Sequence, residues 1–453
     1  MTTPHHRWWG GPLETEQLAR TAVHRVRDAA ARVVASRGLT VDVGTTDPLI
    51  AASFAAIEHL RIDGRTPSAW AELSGFSRAR DGWVRLHGNY PHHAAALQEL
   101  YGIRDRDGLD RALAVRPAAQ IEQEVAAAGG IAVAVRTAEE WLAHPQHLVT
   151  AGNPWSAVVD RGARPALSAP GGPDSTEAAP TGSPSRRPGD ALLPLDGVQV
   201  LDLTRVVAGP TCTQLLACLG ADVLRLDPPH RPELLDQHLS TGMGKRSALL
   251  DLTTDSGRAQ AQSLAATADV ILTGSRPGAL DRHGLGAEQL EHLAPRAVIG
   301  LLSAWGEDGP WGRRPGFDSI VQAATGIAAV CGSDGRPGAL PVQALDHSSG
   351  HLLAALVLDA LADARARTLR VSLLGAARAL LALPRPADAD EGASTSPCAA
   401  PEEPLEIPRR PVSSAGLRLE AVPPPLLLDG RTIEQDVPDY GAAEPVWRGS
   451  AAG

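Results

Sequence analysis

The sequence predicts an α/β protein: a mostly parallel sheet with flanking helices, plus a smaller α+β domain. Three observations carry this expectation. From Val198 to Leu381, short apolar runs of strand character alternate with helical stretches, the pattern of βαβ units. The residues before them mix strand and helix without that alternation. Two stretches, 160–190 and 384–411, are dense in Pro, Gly, Ser or Ala and cannot bury enough apolar surface to fold alone. The chain is therefore expected to divide into an N-terminal helical segment (1–70) and a small α+β segment (71–157). A Pro/Gly/Ser-rich linker (158–192), an α/β domain (193–383) and a Pro-rich C-terminal tail (384–453) follow.

Within the α/β domain, VQVLDL (198–203) has the pattern of a buried strand and leads through TRVVAGP into a helix, TCTQLLACLG. Pro210 suits the first helical turn, where its missing N–H costs nothing, and Gly220 ends the helix. DVLRLD is the next strand. SALLDL, a helix through GRAQAQSLAAT, DVILT, a helix through AEQLEHL and AVIGLLS continue the alternation. Ligands of such sheets lie beyond the carboxyl ends of the strands. That singles out the loops TRVVAGP, TGSRPG and SAWGEDGP. Ahead of this domain, helices are expected over 17–35, 48–60, 93–100 and 118–128. GWVRLHG and IAVAVRT read as strands, and AEEWLAH as a further helix.

The 453 residues carry a net charge of −10 and no long basic run, so the electrostatic footprint of a nucleic-acid binder is absent. An anionic ligand would have to be met by local arginines. Cys212, Cys218, Cys331 and Cys398 are scattered, with no CxxC pair, which does not suggest a disulfide framework. No apolar stretch approaches the ~18 residues of a membrane span. MTTPHHRWWGG lacks the basic flank and apolar core of a signal peptide, so a cytoplasmic location is expected.

The stretch QALDHSSGHLLAALVLDAL (343–361) concentrates polar groups ahead of an apolar helical run. Asp346 there is open to two readings, a helix cap or a carboxylate kept ionised for chemistry. His347 and His351 stand four apart, a spacing that suits a metal, but SSG replaces the rest of an HExxH motif and no further ligand is evident. No metal is expected. His92 and His93 read as a solvated loop pair. GxGxxG, Walker and GxSxG motifs are absent, which disfavours nicotinamide and nucleotide-hydrolysis chemistry.

Six blocks, in order, resemble the family III CoA-transferases of the CaiB/BaiF type. They are LDGVQVLDLTRVVAGPTCTQLLACLGADVLRLD, GKRSALLDLTTDSGR, ADVILTGSRPGALDRHGLG, WGRRPGFDSIVQAATGIAAVCG, VQALDHSSGHLLAALVLDAL and VSLLGAARALL. The resemblance implies a Rossmann-like large domain that binds coenzyme A. It implies that Asp346 is a nucleophile forming aspartyl anhydride and aspartyl-CoA thioester intermediates. A helix N-terminus would favour its ionised form. Val206, Val207 and Ala208 would line the approach of CoA, with Gly274 and Ser275 in the second loop, while Lys245, Arg246, Arg276 and Arg282 would meet its phosphates. Coenzyme A and acyl-CoA would be substrates, a carboxylic acid the acceptor, no cofactor permanent, and the assembly an interlocked homodimer.

The chain departs from formyl-CoA-type transferases at Val207, where they carry glutamine, and at Gly274 and Ser275, where they carry Asn-Phe. Racemases of the superfamily use a histidine at the position of Phe317. A non-catalytic acyl-CoA-binding homologue and an acyl-CoA racemase or isomerase are the alternatives. SGFSRARDGWVRLHGNYPHH and AAAGGIAVAVRTAEEWLAHPQ resemble the family's small domain, which in ordinary members follows the nucleophile and here precedes it.

Overall fold

The computed structural model describes residues 8–68, 70–168, 192–386 and 407–449. Seven strands form the large sheet, in the order Ser156–Ala163, Arg365–Ser372, Val298–Ser303, Val270–Thr273, Gln199–Leu203, Asp222–Asp227, Arg246–Leu249. The last six run parallel, and only the edge strand Ser156–Ala163 is antiparallel to its neighbour. Strand Gln199–Leu203 pairs with both Asp222–Asp227 and Val270–Thr273, so strand order reverses there. A ligand crevice is expected beyond its carboxyl end. The α/β class with a mostly parallel sheet is the observed one.

Alternate strand residues serve the two faces. Val200, Val223, Val270 and Val298 join the main core with the helices Ala208–Cys218 and Ala344–Ala362. Leu201, Leu224, Ile271 and Ile299 join a second core with Ala261, Leu264 and Leu290. The helix Ala344–Ala362 is buried on almost all sides, because Thr15–Ser36 packs along it through Val23, Val26, Ala30 and Val33. Its apolar residues wind all round, as a fully interior helix requires. It crosses Ala208–Cys218 at Gly350, where an added Cβ would lie 2.3 Å from the Ala208 carbonyl oxygen.

The small sheet pairs Gly75–Arg78, Trp83–Leu86 and Ala132–Ala134 antiparallel. Val84, Leu86 and Ala134 point to its own helices, meeting Leu97, Leu109, Leu113, Ile121 and Val125. Phe76 and Val133 face the other way, into the main core. That second face rests on the helix Asp318–Ala324, to which Arg136 N–H is tied through the Ala323 carbonyl at 3.0 Å. The helix Arg106–Ala114 was not expected; RDGLDRALA offers only Leu109 and Leu113 as an apolar pair, and its start is fixed by the Asp105 carboxylate accepting from Gly108 N–H at 2.8 Å.

Two stretches hold more structure than their composition suggests. Ser156–Ala163, which overlaps the expected linker, is a sheet strand whose Val158 and Val159 are exposed. Its backbone pairing with Arg365–Ser372 holds it, so no apolar alternation marks it. Residues 169–191 of that linker lie outside the described residues, as do 387–406 and with them Cys398. In the tail, Arg410–Ser414 and Leu417–Ala421 form a hairpin extended by Arg61–Ile62. Its last residues run beside the sheet edge Arg246–Leu249: Ala443 N–H donates to Ser247 O at 2.8 Å, and Trp447 is buried with Nε1 donating to Thr267 Oγ1 at 2.9 Å. Both features depend on partners far away in the chain. Among the described residues no helix is long and apolar enough to cross a membrane.

Candidate functional site

Asp346 sits in the first turn of the helix Ala344–Ala362, but it does not cap that helix. The capping carboxylate belongs to Asp318, whose Oδ2 accepts from Leu345 N–H at 2.9 Å and from Asp346 N–H at 3.0 Å. Its Oδ1 accepts from the Gln322 amide, and Gln322 Oε1 in turn accepts from Leu340 N–H at 2.8 Å. Asp318 is 1% exposed and Asp346 7%. Burial pushes the Asp346 carboxyl well above the usual carboxylate range, and the charge of Asp318 pushes it further. The expectation that the helix N-terminus favours an ionised Asp346 is thus corrected. The end of the helix is already occupied by a neighbouring anion, and desolvation outweighs what remains of the dipole.

The second wall of this region comes from the small sheet. His87 stacks on Phe317 with ring centroids 3.8 Å apart, next in sequence to Asp318. Arg85 lies close enough for its charge to act on Asp318, and its own pKa falls to about 10 through burial. His93 also meets Phe317, edge-on at 6.1 Å; its ring is buried rather than solvated, which corrects the loop-pair reading for that member. His347 and His351 both pack on Phe54, and His351 Nδ1 bonds to the His347 carbonyl at 2.7 Å. Burial lowers their pKa values to about 3 and about 4. They form a neutral aromatic wedge. Among the described residues no group of three or more His, Cys, Asp or Glu is placed to hold a metal.

The TRVVAGP loop leaves strand Gln199–Leu203 at the point of order reversal. Val206 there has φ +67°, a conformation costly for a β-branched side chain, about 1–3 kcal/mol. Its N–H is anchored at 2.9 Å to Glu233 Oε2. Glu233 also accepts from Tyr90 Oη at 2.6 Å and from Arg225 at 2.8 Å. Burial alone would raise this carboxyl, yet Arg225 and Arg205 hold it down at about 2. One carboxylate thereby ties the loop, the sheet and the small domain together. Val207 and Ala208 are buried, leaving Val206 as the more accessible of the three expected loop contacts.

The expected phosphate contacts divide. Lys245 is 1% exposed, 3.5 Å from Asp202 Oδ2 and 3.0 Å from Thr213 Oγ1. Arg246 grips Asp222 with two nitrogens at 2.9 and 2.8 Å. Both are instead committed to internal carboxylates, because they stand at the start of the strand Arg246–Leu249, beside Asp202 and Asp222, rather than at its carboxyl end. Arg282 is exposed, with its Nε on the neighbouring His283 ring. Ser275 and Arg276 line a cavity of about 700 Å³ beyond the carboxyl ends of three strands, with Arg313, Arg370 and Trp155 also in its wall. Gly274 is exposed beside it. Asp346 is not in that lining; Trp155 intervenes, its Nε1 3.4 Å from Ser349 Oγ. Arg313 and Asp318 escaped the sequence reading, although Asp318 directly before the apolar IVQAA run is an acidic helix-start signal.

Residues 195–396 match the family described as CoA-transferase family III. The match takes in a little under half of the chain. A probable fatty acyl-CoA transferase of Mycobacterium tuberculosis, Rv3272, is 39% identical over 196 residues, which are 40% of this chain and 48% of the relative. Succinyl-CoA–D-citramalate CoA-transferase of Chloroflexus aurantiacus is 37% identical over 156 residues, 32% and 39% of the two chains. The orthorhombic crystal structure of Rv3272 aligns at 39% identity and a TM-score of 0.40, covering 42% of this chain and 56% of that one. The chain spans about half the length, or less, of these curated relatives. The matched range includes Asp346, Phe317 and both cavity loops; Arg85, His87 and Tyr90 lie outside it.

Proposed function

We propose that the chain transfers coenzyme A from an acyl-CoA to a carboxylic acid by covalent catalysis at Asp346. The supporting observation is the family III match across all strand-end loops, with Asp346 on the first turn of the central helix. An Asp346 carboxylate oxygen attacks the thioester carbon, the C–S bond breaks, and CoA leaves as thiolate. The thiolate then attacks the aspartyl carbonyl of the mixed anhydride, freeing the donor acid and leaving an aspartyl-CoA thioester. The acceptor carboxylate attacks that thioester and expels the thiolate. The thiolate takes the acceptor's acyl carbon, which restores Asp346. Arg276 and Arg313 on the cavity wall are suited to the phosphates of CoA, a cavity of this size being ordinary for such a ligand. Asp346 has to lose its proton before the first attack, so the rate rises with pH through its elevated pKa.

The test is exchange of labelled CoA between acids. Asp346→Asn is expected to lose at least ~10³-fold, and hydroxylamine to capture an Asp346 adduct only when acyl-CoA is present. Equal turnover by wild type and variant would refute the mechanism. A second reading, a CoA-ester-binding protein without transfer, is favoured by the burial and raised pKa of Asp346; tight acyl-CoA binding with no exchange at any pH would establish it. A homodimer in the cytoplasm is the setting this proposal expects, and sedimentation velocity checks the first part.

A further inference from the structure

Four arginines are buried among the described residues: Arg37, Arg85, Arg164 and Arg225. Three have partners. Arg37 donates to the carbonyls of Ser168, Pro194 and Asp196, Arg164 pairs with Asp269, and Arg225 with Asp227 and Glu233. Arg85 has none. Its Nε is sealed and unpartnered, and neither terminal nitrogen donates a hydrogen bond or joins an ion pair. What it touches is aromatic: its guanidinium lies 4.6 Å from the Trp70 ring centroid and 4.8 Å from that of Phe76. Such rings stabilise a cation in part but supply no acceptor for its five N–H groups. Only Nε is sealed from solvent, and the opposite charge acting on the group is that of Asp318; its terminal nitrogens, bonded to no protein acceptor, are free to take a ligand anion.

The surroundings say which kind. His87, two residues further on and so on the same side of the strand, also has a buried, unpartnered Nδ1 and can donate as the neutral tautomer. Both donors stand on the face of the small sheet that meets Phe317 and Asp318, and Asp318 touches the backbone of Asp346. An anion here is next to the reacting aspartate. The phosphates of CoA are separated from its sulfur by the whole pantetheine arm, so they are not the anion this position would receive.

We propose that Arg85, assisted by His87, receives a carboxylate carried by the acyl part of the substrate. The chain then favours dicarboxylic acids over unsubstituted fatty acids. This rests on the CoA-transfer reading and assigns the specificity residue within it. The planar guanidinium takes both oxygens of the distal carboxylate, while the other end of the same acid meets Asp346.

The test compares succinate and glutarate with hexanoate as acceptors, in wild type, Arg85→Gln and Arg85→Lys. Wild type is expected to prefer the dicarboxylates in kcat/KM. Arg85→Gln should reduce that preference at least ~10-fold, mainly through KM, and Arg85→Lys should restore part of it. A purely structural role would lower all acceptors together. Binding is read separately, as the rise in melting temperature with succinate, hexanoate or inorganic phosphate. Succinate should stabilise wild type most, and Arg85→Gln should lose that effect. If CoA exchange proceeds with an unchanged preference in Arg85→Gln, the carboxylate site is refuted and CoA transfer stands. If nothing is exchanged but succinate stabilises through Arg85, the site stands and CoA transfer falls. Phosphate stabilising wild type more than succinate would overturn the proposal.

Discussion

Gly350→Ala tests whether the central helix and the TRVVAGP loop are one mechanical unit. In an isolated helix interior, replacing glycine by alanine stabilises by about 1 kcal/mol. Here the new Cβ would meet the Ala208 carbonyl oxygen at 2.3 Å and Thr211 Cβ at 3.0 Å. A carbon–oxygen contact needs about 3.3 Å, so the two helices must separate by about 1 Å. The obstructing atom is backbone and cannot rotate away. Overpacking of this kind costs about 1–3 kcal/mol, and the tight oxygen contact argues for the upper end. The net expectation is a destabilisation of about 1–2 kcal/mol. Calorimetry of the two proteins side by side should give a lower melting temperature for the variant, by roughly 2–5 °C. Because Ala208 moves with its helix, KM for acyl-CoA should rise as well. A variant melting at or above the wild-type temperature would refute the close helix crossing.

Three further outcomes follow from the buried groups. Asp318 and Asp346 both have raised pKa values, so the folded protein retains protons that the unfolded chain gives up. Their stabilisation is complete below about pH 4 and declines as pH rises toward neutral. Asp346→Asn should flatten that decline in melting scans between pH 4.5 and 7.5, and an unchanged slope would count against the pairing. Glu233 behaves oppositely: held at about 2, it stabilises above its unfolded value of about 4.5, and that contribution is lost as pH falls toward 2. Glu233→Gln should cost about 3 kcal/mol at pH 7, measurable by chemical denaturation, and little near pH 2. Trp447→Ala should remove about 3 kcal/mol of local packing and raise amide exchange along Arg246–Leu249, the strand whose edge the C-terminal residues cover.

The parts of the fold legible in the sequence were those held by local pattern. Strand–helix alternation located five of the six parallel strands, those with short apolar runs; Arg365–Ser372, in which buried and half-buried residues largely alternate and arginines recur, was not among them. Thr15–Ser36 declared itself through Leu18, Val23, Val26, Ala30 and Val33 at helical spacing. Ser156–Ala163 did not, since an edge strand with solvent on its side chains has only its backbone partner to define it. The 410–421 hairpin pairs with Arg61–Ile62 across the length of the chain, beyond the reach of any window of residues. For the candidate site, the stretch around Asp346 was conspicuous because polar groups interrupt an apolar helix. Arg85 was invisible: in RDGWVRLHG it reads as an ordinary surface arginine, and only the docking of the small sheet buries it.

The order of the two halves poses a mechanical question, which the contacts between them answer. A small sheet placed ahead of Asp346 in the chain can wall it only if it reaches the same face from the opposite chain direction. It does so by a continuous set of ties: His87 stacked on Phe317, Tyr90 bonded to Glu233, Arg136 N–H on the Ala323 carbonyl, and Trp83 Nε1 donating to the Gly335 carbonyl at 2.9 Å. These ties fall before, on and after the helix Asp318–Ala324, so the docking is fixed in position and rotation. None of them requires a particular connection between the halves; what they require is that the two surfaces be present together. A single chain therefore supplies both walls around Asp346, whichever half is made first. The loop-closure cost of holding them in one polypeptide grows only slowly with linker length.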